Sequence, residues 1–225
     1  MAEDSNRNAR WNFLVLTGDW ITFNVGLSFV SSITILPTFV RSFTDSNLAV
    51  GLITSIWALG HSIPQVLVAN HVESLSRVKP YMLKVTAGER IPWLVLALLA
   101  FFAGSSGLPW ILPSFFLLYL VITSSGGFTS PAWADLVARA VSQRVRGKYF
   151  GLANSVSTAV GALGGLAAGL SLDTYGFQNG FALCFLAAFL LTVMSWGFMA
   201  SVREPVRQPV KPGTGLGTYL RRLPA

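Results

Sequence analysis

Six long apolar stretches run through the chain, at 13–40, 48–69, 82–103, 110–133, 149–172 and 181–202, and the Lys and Arg residues collect on every second connection between them. Each stretch reaches the roughly 20 residues that a helix needs to cross a bilayer. One set of connectors and tails carries Arg7, Arg10, Arg77, Lys79, Arg139, Arg144, Arg146, Lys148, Arg203, Arg207, Lys211, Arg221 and Arg222. The other carries only Arg41, with Lys84 and Arg90 inside a span. Basic connectors stay on the cytoplasmic side, so the pattern predicts an all-α integral membrane bundle of six transmembrane helices with both termini cytoplasmic.

Composition agrees. Hydrophobic residues make up 52% of the chain and charged residues 11%, against about 25% charged in a soluble domain. The net charge of +7 sits beside helix ends, which points to anionic lipid headgroups and to orientation in a cell (inner or plasma) membrane rather than to nucleic acid. A single cysteine, Cys184, excludes an internal disulfide and any multi-thiolate metal site. The first apolar stretch is too long for a signal-peptide core, so it reads as a retained span.

Along the chain, residues 1–12 form a cytoplasmic N-terminus, 13–202 the bundle, and 203–225 a Pro-, Gly- and Arg-rich tail. Pro205, Pro209, Pro212 and Pro224 deny that tail a continuous helix, so it reads as a linker to a second half absent from this chain. The outward connectors 41–47, 104–109 and 173–180 are short, and make consecutive helices antiparallel neighbours.

Polar residues form stripes on three spans: Thr17, Asn24, Ser28 and Ser31 on the first, Thr54, His61 and Gln65 on the second, and Tyr119, Thr123, Gly126 and Ser130 on the fourth. Lipid cannot satisfy such groups, so they face other helices or water. Interhelical hydrogen bonds explain any single Ser or Thr. Three stripes together point to a shared aqueous cavity lined by Asn24, Ser28, His61, Gln65, Tyr119 and Thr123. Charge lies within the membrane at Asp19, Glu89 and Arg90, where an unpaired ion costs several kcal/mol. Neighbouring helix positions do not face one another, so Glu89 and Arg90 are expected to seek partners elsewhere, with Asp19 a candidate for Arg90. Structural pairing and proton coupling through Asp19, Glu89 and His61 are the two readings of these charges.

The fifth span carries Ala153, Ser157, Gly161, Gly165 and Gly169 at every fourth position, a small-residue ladder that predicts a tight helix seam. The sixth, 181–202, is nearly featureless and is expected to face lipid.

Two connectors carry a family resemblance. Residues 69–79, Ala-Asn-His-Val-Glu-Ser-Leu-Ser-Arg-Val-Lys, resemble the G-x-x-x-D-R-x-G-R-[KR] signature between the second and third helices of bacterial major facilitator superfamily transporters. Glu73 keeps the acidic position and Arg77 the second basic one, while Ala69, Ser74 and Ser76 depart from the pattern. Residues 146–151, Arg-Gly-Lys-Tyr-Phe-Gly, resemble the R-G-x-x-x-G that opens the fifth helix. The chain is thus similar throughout to the N-terminal half of such a transporter. The resemblance implies inverted three-helix repeats, helices one and four on the cavity, helices two and five toward the opposite half, and a cytoplasmic gate at Glu73, Arg77 and Arg146.

The expected function is secondary transport of a small solute by alternating access, the partner being the missing half or a second copy of the chain. No cofactor or metal is implied beyond possible protons. A non-transporting scaffold is the alternative. An intramembrane enzyme is disfavoured: the chain has two His and one Cys, with no H-E-x-x-H and no G-x-S-x-G. No aromatic cage, acidic ring or basic pocket dominates the stripes, which leaves sugar, drug, peptide and organic ion open.

Overall fold

The computed structural model describes residues 2–103, 109–205 and 207, with side chains from residue 8. The connector at 104–108 and the tail from 208 lie outside them, and with it most of the expected linker. Among the described residues every regular element is a helix: α1 (Ala2–Ser28), α2 (Ile35–Arg41), α3 (Asn47–Glu73), α4 (Lys79–Val85), α5 (Ala87–Ala103), α6 (Ile111–Ala140) and α7 (Gln143–Ala200). Four segments are long and apolar enough to cross a membrane: α3, α4 together with α5, α6, and α7. A helix satisfies its own backbone groups, which hydrocarbon cannot do. The 27-residue α1 is as long as α3, but Asn12, Asp19 and Asn24 make it less apolar.

The 58 residues of α7 would stretch about 87 Å as a straight rod, far beyond the roughly 30 Å of a bilayer core. The rod is broken at Gly176, whose φ of 69° and ψ of −173° are non-helical and open to glycine. The chain doubles back there. A Cβ on Gly180 would lie 2.9 Å from the Cα of Leu172, and the Cys184 thiol sits 3.9 Å from the Ala168 carbonyl. The expected loop at 173–180 is therefore a sharp break between two antiparallel arms, 143–175 and 177–200.

Helix α1 packs on both arms. Gly18 and Gly26 admit Phe198 and Thr192 of the second arm, while Ser28 sits against Gly164 of the first, and Trp20 donates to Asn154 at 2.8 Å. Helix α6 takes α3 on one side and α5 on another, and α5 also packs on α7. Of the expected ladder Ala153 and Ser157 are buried, and the buried line then continues through Gly164 and Ala168 rather than Gly161, Gly165 and Gly169. A Cβ on Gly161 would lie 3.7 Å from that of Ser28, and one on Gly165 or Gly169 would meet nothing within 4 Å among the described residues. Steps of four residues drift by about 40° each around a helix, so a strict ladder leaves any one contact line.

Two apolar clusters form, one at each end of the bundle. Phe39, Phe115, Phe181, Phe185, Trp93 and Leu36 centre the first; Leu16, Met82, Leu136, Tyr149 and Val72 centre the second, at the basic end. Polar residues lie buried between them: Asp19, Thr86, Arg90, Thr123, Thr129, Thr192 and Ser195. The second arm of α7 feeds both clusters and this layer. The expectation that the sixth stretch faces lipid is corrected, since Phe181, Cys184, Phe185, Ala188, Thr192, Ser195 and Met199 all turn inward.

Three helices share a local device at the level of the polar layer. Pro64, Pro92 and Pro131 each follow a glycine by four residues, namely Gly60, Gly88 and Gly127. Proline removes a helical hydrogen bond to the residue four before it and crowds that residue's carbonyl. Glycine there lets a neighbouring helix come close: Gly60 lies under Thr123, Gly88 under Ser125, and Gly127 under the His61 carbonyl. The crossings of α6 with α3 and α5 are built on these sites. Gly127→Ala forces a methyl into the His61 backbone and is expected to cost about 1–3 kcal/mol, as overpacking does. Gly165→Ala, facing open space, is expected to be neutral or to stabilise by up to about 1 kcal/mol. Thermal melts of the detergent-purified variants, followed by helicity, check the contrast.

Candidate functional site

Between the two apolar clusters lies a cavity of about 270 Å³, lined from α1 by Asp19, Trp20 and Phe23, from α3 by His61, from α5 by Glu89 and Arg90, and otherwise by α6 and the second arm of α7. Its construction starts with a backbone fault. The helix stops at Thr86, between α4 and α5, and exposes a carbonyl that the Arg90 guanidinium satisfies, Nη1 donating at 2.8 Å. Nε of the same side chain donates to the Thr192 carbonyl at 2.8 Å, and Nη2 reaches the Ser195 hydroxyl at 3.4 Å. Arg90 is only 3% exposed and lies 5.9 Å from the centre of the Phe23 ring.

Ser195 passes this cation on to Asp19, its hydroxyl donating to Oδ1 at 2.6 Å. Asp19 Oδ2 accepts from the Trp133 indole at 3.1 Å. Both oxygens of this 3%-exposed carboxylate are thereby held by donors. Glu89 meets Arg90 directly at 3.4 Å through Oε2, contrary to the expectation that adjacent residues part. Their side chains are long enough to curl toward one point even though their Cβ atoms diverge. Among the described residues no donor bonds the other oxygen, Oε1, which faces Gly126: a Cβ on that glycine would lie 2.8 Å from it and 3.4 Å from His61 Nδ1. The missing side chain at 126 is what leaves room for Glu89 and His61 to converge on the cavity.

Aromatic rings close the sides. Trp20 and Trp133 lie 4.6 Å apart between centroids and are inclined by 30°, and His61 stacks on Trp57 at 5.9 Å. An aromatic wall with a charged floor replaces the polar lining expected from the stripes.

Of the cavity residues expected from sequence, the structure puts His61 on this wall and the others elsewhere. Asn24 bonds back to the Trp20 carbonyl at 2.8 Å and Ser28 to that of Val25 at 2.6 Å. Thr123 bonds to Leu120 at 3.1 Å, Tyr119 stacks on Phe115 at 5.8 Å inside the apolar cluster, and Gln65 is exposed. The intramembrane trio Asp19, Glu89 and Arg90, by contrast, meets at one point. Trp20, Phe23, Trp133 and Ser195 escaped the sequence reading. A hydroxyl one helical turn from Thr192 on an otherwise apolar arm was the available signal.

At the basic end Glu204, just past α7, accepts from the backbone N–H of Val78 at 2.6 Å and of Lys79 at 3.1 Å. A carboxylate at the start of α4 answers the helix dipole. Arg139 bridges Asp135 at 2.5 Å and Glu204 at 3.5 Å and donates to the Ser76 carbonyl at 2.9 Å. Arg207 stands 3.7 Å from Asp135. Lys79 binds the Ala200 and Val202 carbonyls at 3.0 and 2.9 Å. Glu73 is exposed and borders a cleft of about 360 Å³ with Asp135 and Arg207. Arg77 is exposed, and Arg146 caps α6 through the Ala138 carbonyl at 3.1 Å. The three expected gate residues are thus not joined to one another, and Arg139, Asp135 and Glu204 form the network. The D-x-x-x-R spacing and a lone acid in the basic tail were its traces in sequence.

The Major Facilitator Superfamily model matches residues 20–224. An uncharacterised MFS-type transporter of Methanocaldococcus jannaschii is 24% identical over 189 residues, which cover 82% of this chain and 45% of that protein. The chain therefore spans a little under half the length of that relative. No solved structure matches. Apolar helices, a polar layer held between two hydrophobic clusters, and a match over nearly its whole length make this chain a multi-pass membrane protein of the major facilitator superfamily.

Proposed function

We propose that the chain is one six-span half of a secondary transporter that moves a small solute by alternating access, with both termini cytoplasmic. The observation that carries this reading is the cavity itself: ionisable residues from three helices meet in the interior of a bundle that lipid surrounds. Such placement is costly and marks a pathway for solute or protons. The count of six takes α1, α3, α4 with α5, α6, and each arm of α7 as a span. The contacts support a swapped, inverted-repeat arrangement: α1 of the first three spans packs on the arms that end the second three, and α6, which opens the second three, packs on α3 and α5 of the first.

The second half is a further segment or a second copy, and it meets the exposed apolar faces of α3 and the first arm of α7, where Leu59, Leu67, Leu163, Leu166 and Leu170 are exposed. Gly165 and Gly169 lie on that first arm without a neighbour. The network of Arg139, Asp135, Glu204 and Arg207, with Glu73 beside it, is the cytoplasmic latch that makes and breaks as the halves rock. The Gly-x-x-x-Pro sites of α3, α5 and α6 lie beside the cavity, where a small bend alters access. A proton on Glu89 is the coupling ion: Arg90 supplies one positive charge to two carboxylates, and Glu89 keeps one oxygen that no donor holds among the described residues.

Alternating access is tested with Cys184→Ser as background and Ser130→Cys in the cavity. A membrane-impermeant thiol reagent is expected to label the new cysteine from either face, in right-side-out and in inverted vesicles. Labelling from one face alone would rule out alternation. The charge cluster is tested by stability. Arg90→Met leaves Asp19 and Glu89 without a counter-charge and is expected to cost about 3–5 kcal/mol, as losing one member of a buried ion pair does. Adding Glu89→Gln to Arg90→Met is expected to recover part of that loss in thermal melts.

A further inference from the structure

The solute class follows from an imbalance of charge and from the shape of the wall, and rests on the transporter reading above. The cavity holds two carboxylates, Asp19 and Glu89, and one guanidinium, Arg90. Asp19 is saturated by Ser195 and Trp133, and Arg90 is spent on the Thr86 and Thr192 carbonyls as well as on Ser195 and Glu89. One negative charge is left over between the two carboxylates, and Glu89 Oε1 is the carboxylate oxygen that no donor holds among the described residues. This oxygen faces the cavity beside the gap at Gly126, and the Glu89 side chain is 12% exposed. An unbalanced ion in this setting draws a cation or a proton.

The surrounding surface selects among cations. Trp20 and Trp133 form a tilted pair, Phe23 lies against Arg90, and His61 borders the same space. Ring faces carry negative electrostatic potential and attract a cation with delocalised charge, and they pack flat against a flat solute. A metal ion would find no set of three or more His, Cys, Asp or Glu among the described residues. A sugar would need more free hydrogen-bonding groups than Glu89 Oε1, His61 and Ser130, the ones left without a hydrogen bond among the described residues.

We propose that this cavity binds a flat aromatic organic cation, its charge set against Glu89 Oε1 and its ring against Trp20 and Trp133. Cation and proton then contend for one oxygen, and entry of one expels the other. The remaining charged or titratable groups around Glu89 are Asp19 from α1, His61 from α3 and Arg90 beside it; α6 and α7 line the cavity with Gly126, Thr129, Ser130, Trp133, Ser195 and Met199, none of which titrates.

The test uses the purified full chain in detergent, with 1-methylquinolinium as cation and 1-naphthoate as an anion of like shape, followed by calorimetry and by tryptophan quenching. The expected result is saturable 1-methylquinolinium binding, no 1-naphthoate binding, and a loss of at least about tenfold in cation affinity in Glu89→Gln, the scale of about 1.4 kcal/mol. Gly126→Ala keeps every charge but fills the space before Oε1, and is expected to weaken the cation by a similar factor at unchanged helicity. Naphthoate binding more tightly than quinolinium in the wild type would overturn the proposal without any variant, as would equal cation affinity in wild type and both variants. Two-sided labelling of Ser130→Cys together with absent cation binding would leave the transporter reading standing and remove this one. Cation binding with one-sided labelling would do the reverse.

Discussion

The structure depends on how Arg90 is kept charged in the bundle interior. A guanidinium cannot shed its proton to escape the low dielectric, so every donor must find an acceptor. Two of its bonds go to backbone carbonyls on different elements, at Thr86 and Thr192, and these fix the distance between the α4–α5 junction and the second arm of α7. The third direction runs through Ser195 to Asp19 and ties α1 to the same point. One side chain thereby ties three elements together. The break between α4 and α5 is the counterpart of this tie: without the carbonyl released at Thr86, one donor of Arg90 would go unmet.

The layering follows from the same constraint. Polar side chains at mid-depth must be screened from lipid, which the packed helices do from the sides as α7 wraps α1, while the two apolar clusters close the layer at either end. Close approach of backbones at this level needs small residues, and these are supplied as Gly60, Gly88 and Gly127, each four residues before a proline. The pairing of the two residue types joins tight packing with a weakened helical hydrogen bond. Stiffness therefore lies at the ends of the bundle and compliance at the depth of the cavity.

Much of this was legible in sequence, and the rest failed for identifiable reasons. Apolar length and the alternating basic connectors gave the helical segments, and Asp19, Glu89, Arg90 and His61 stood out because charge or imidazole in an apolar run is expensive wherever it falls. What periodicity could not supply was the rotation of each helix about its axis. Asn24, Ser28 and Thr123 are polar, but each returns its hydrogen bond to its own helix, so polarity alone did not place them on the cavity. The fifth-span ladder erred by phase, since spacing of four slides around a helix of 3.6 residues per turn. The sixth stretch looked uniform because its inward face is made of Phe, Ala and Cys, residues equally at home in lipid, and only Thr192 and Ser195 betray it. At the basic end, Glu204 was hidden by distance: its partners at 78, 79 and 139 lie more than sixty positions away.

Adjacency of Glu89 and Arg90 has a consequence for coupling. Arg90 is fixed by two backbone carbonyls, so it cannot follow Glu89 when the carboxylate is neutralised. A proton or a cation arriving at Oε1 therefore weakens the Glu89–Arg90 attraction without moving the guanidinium, and leaves Arg90 more fully to Ser195 and Asp19. Arg90 belongs to α5, so the tie from α5 through Ser195 to α1 tightens. α5 is the element that carries Pro92 after Gly88 and rests on Ser125 of α6. Occupation of the cavity in the proposed reading would thus bear on one of the three helices that carry a glycine four residues before a proline, and a binding event at one oxygen would acquire a direction.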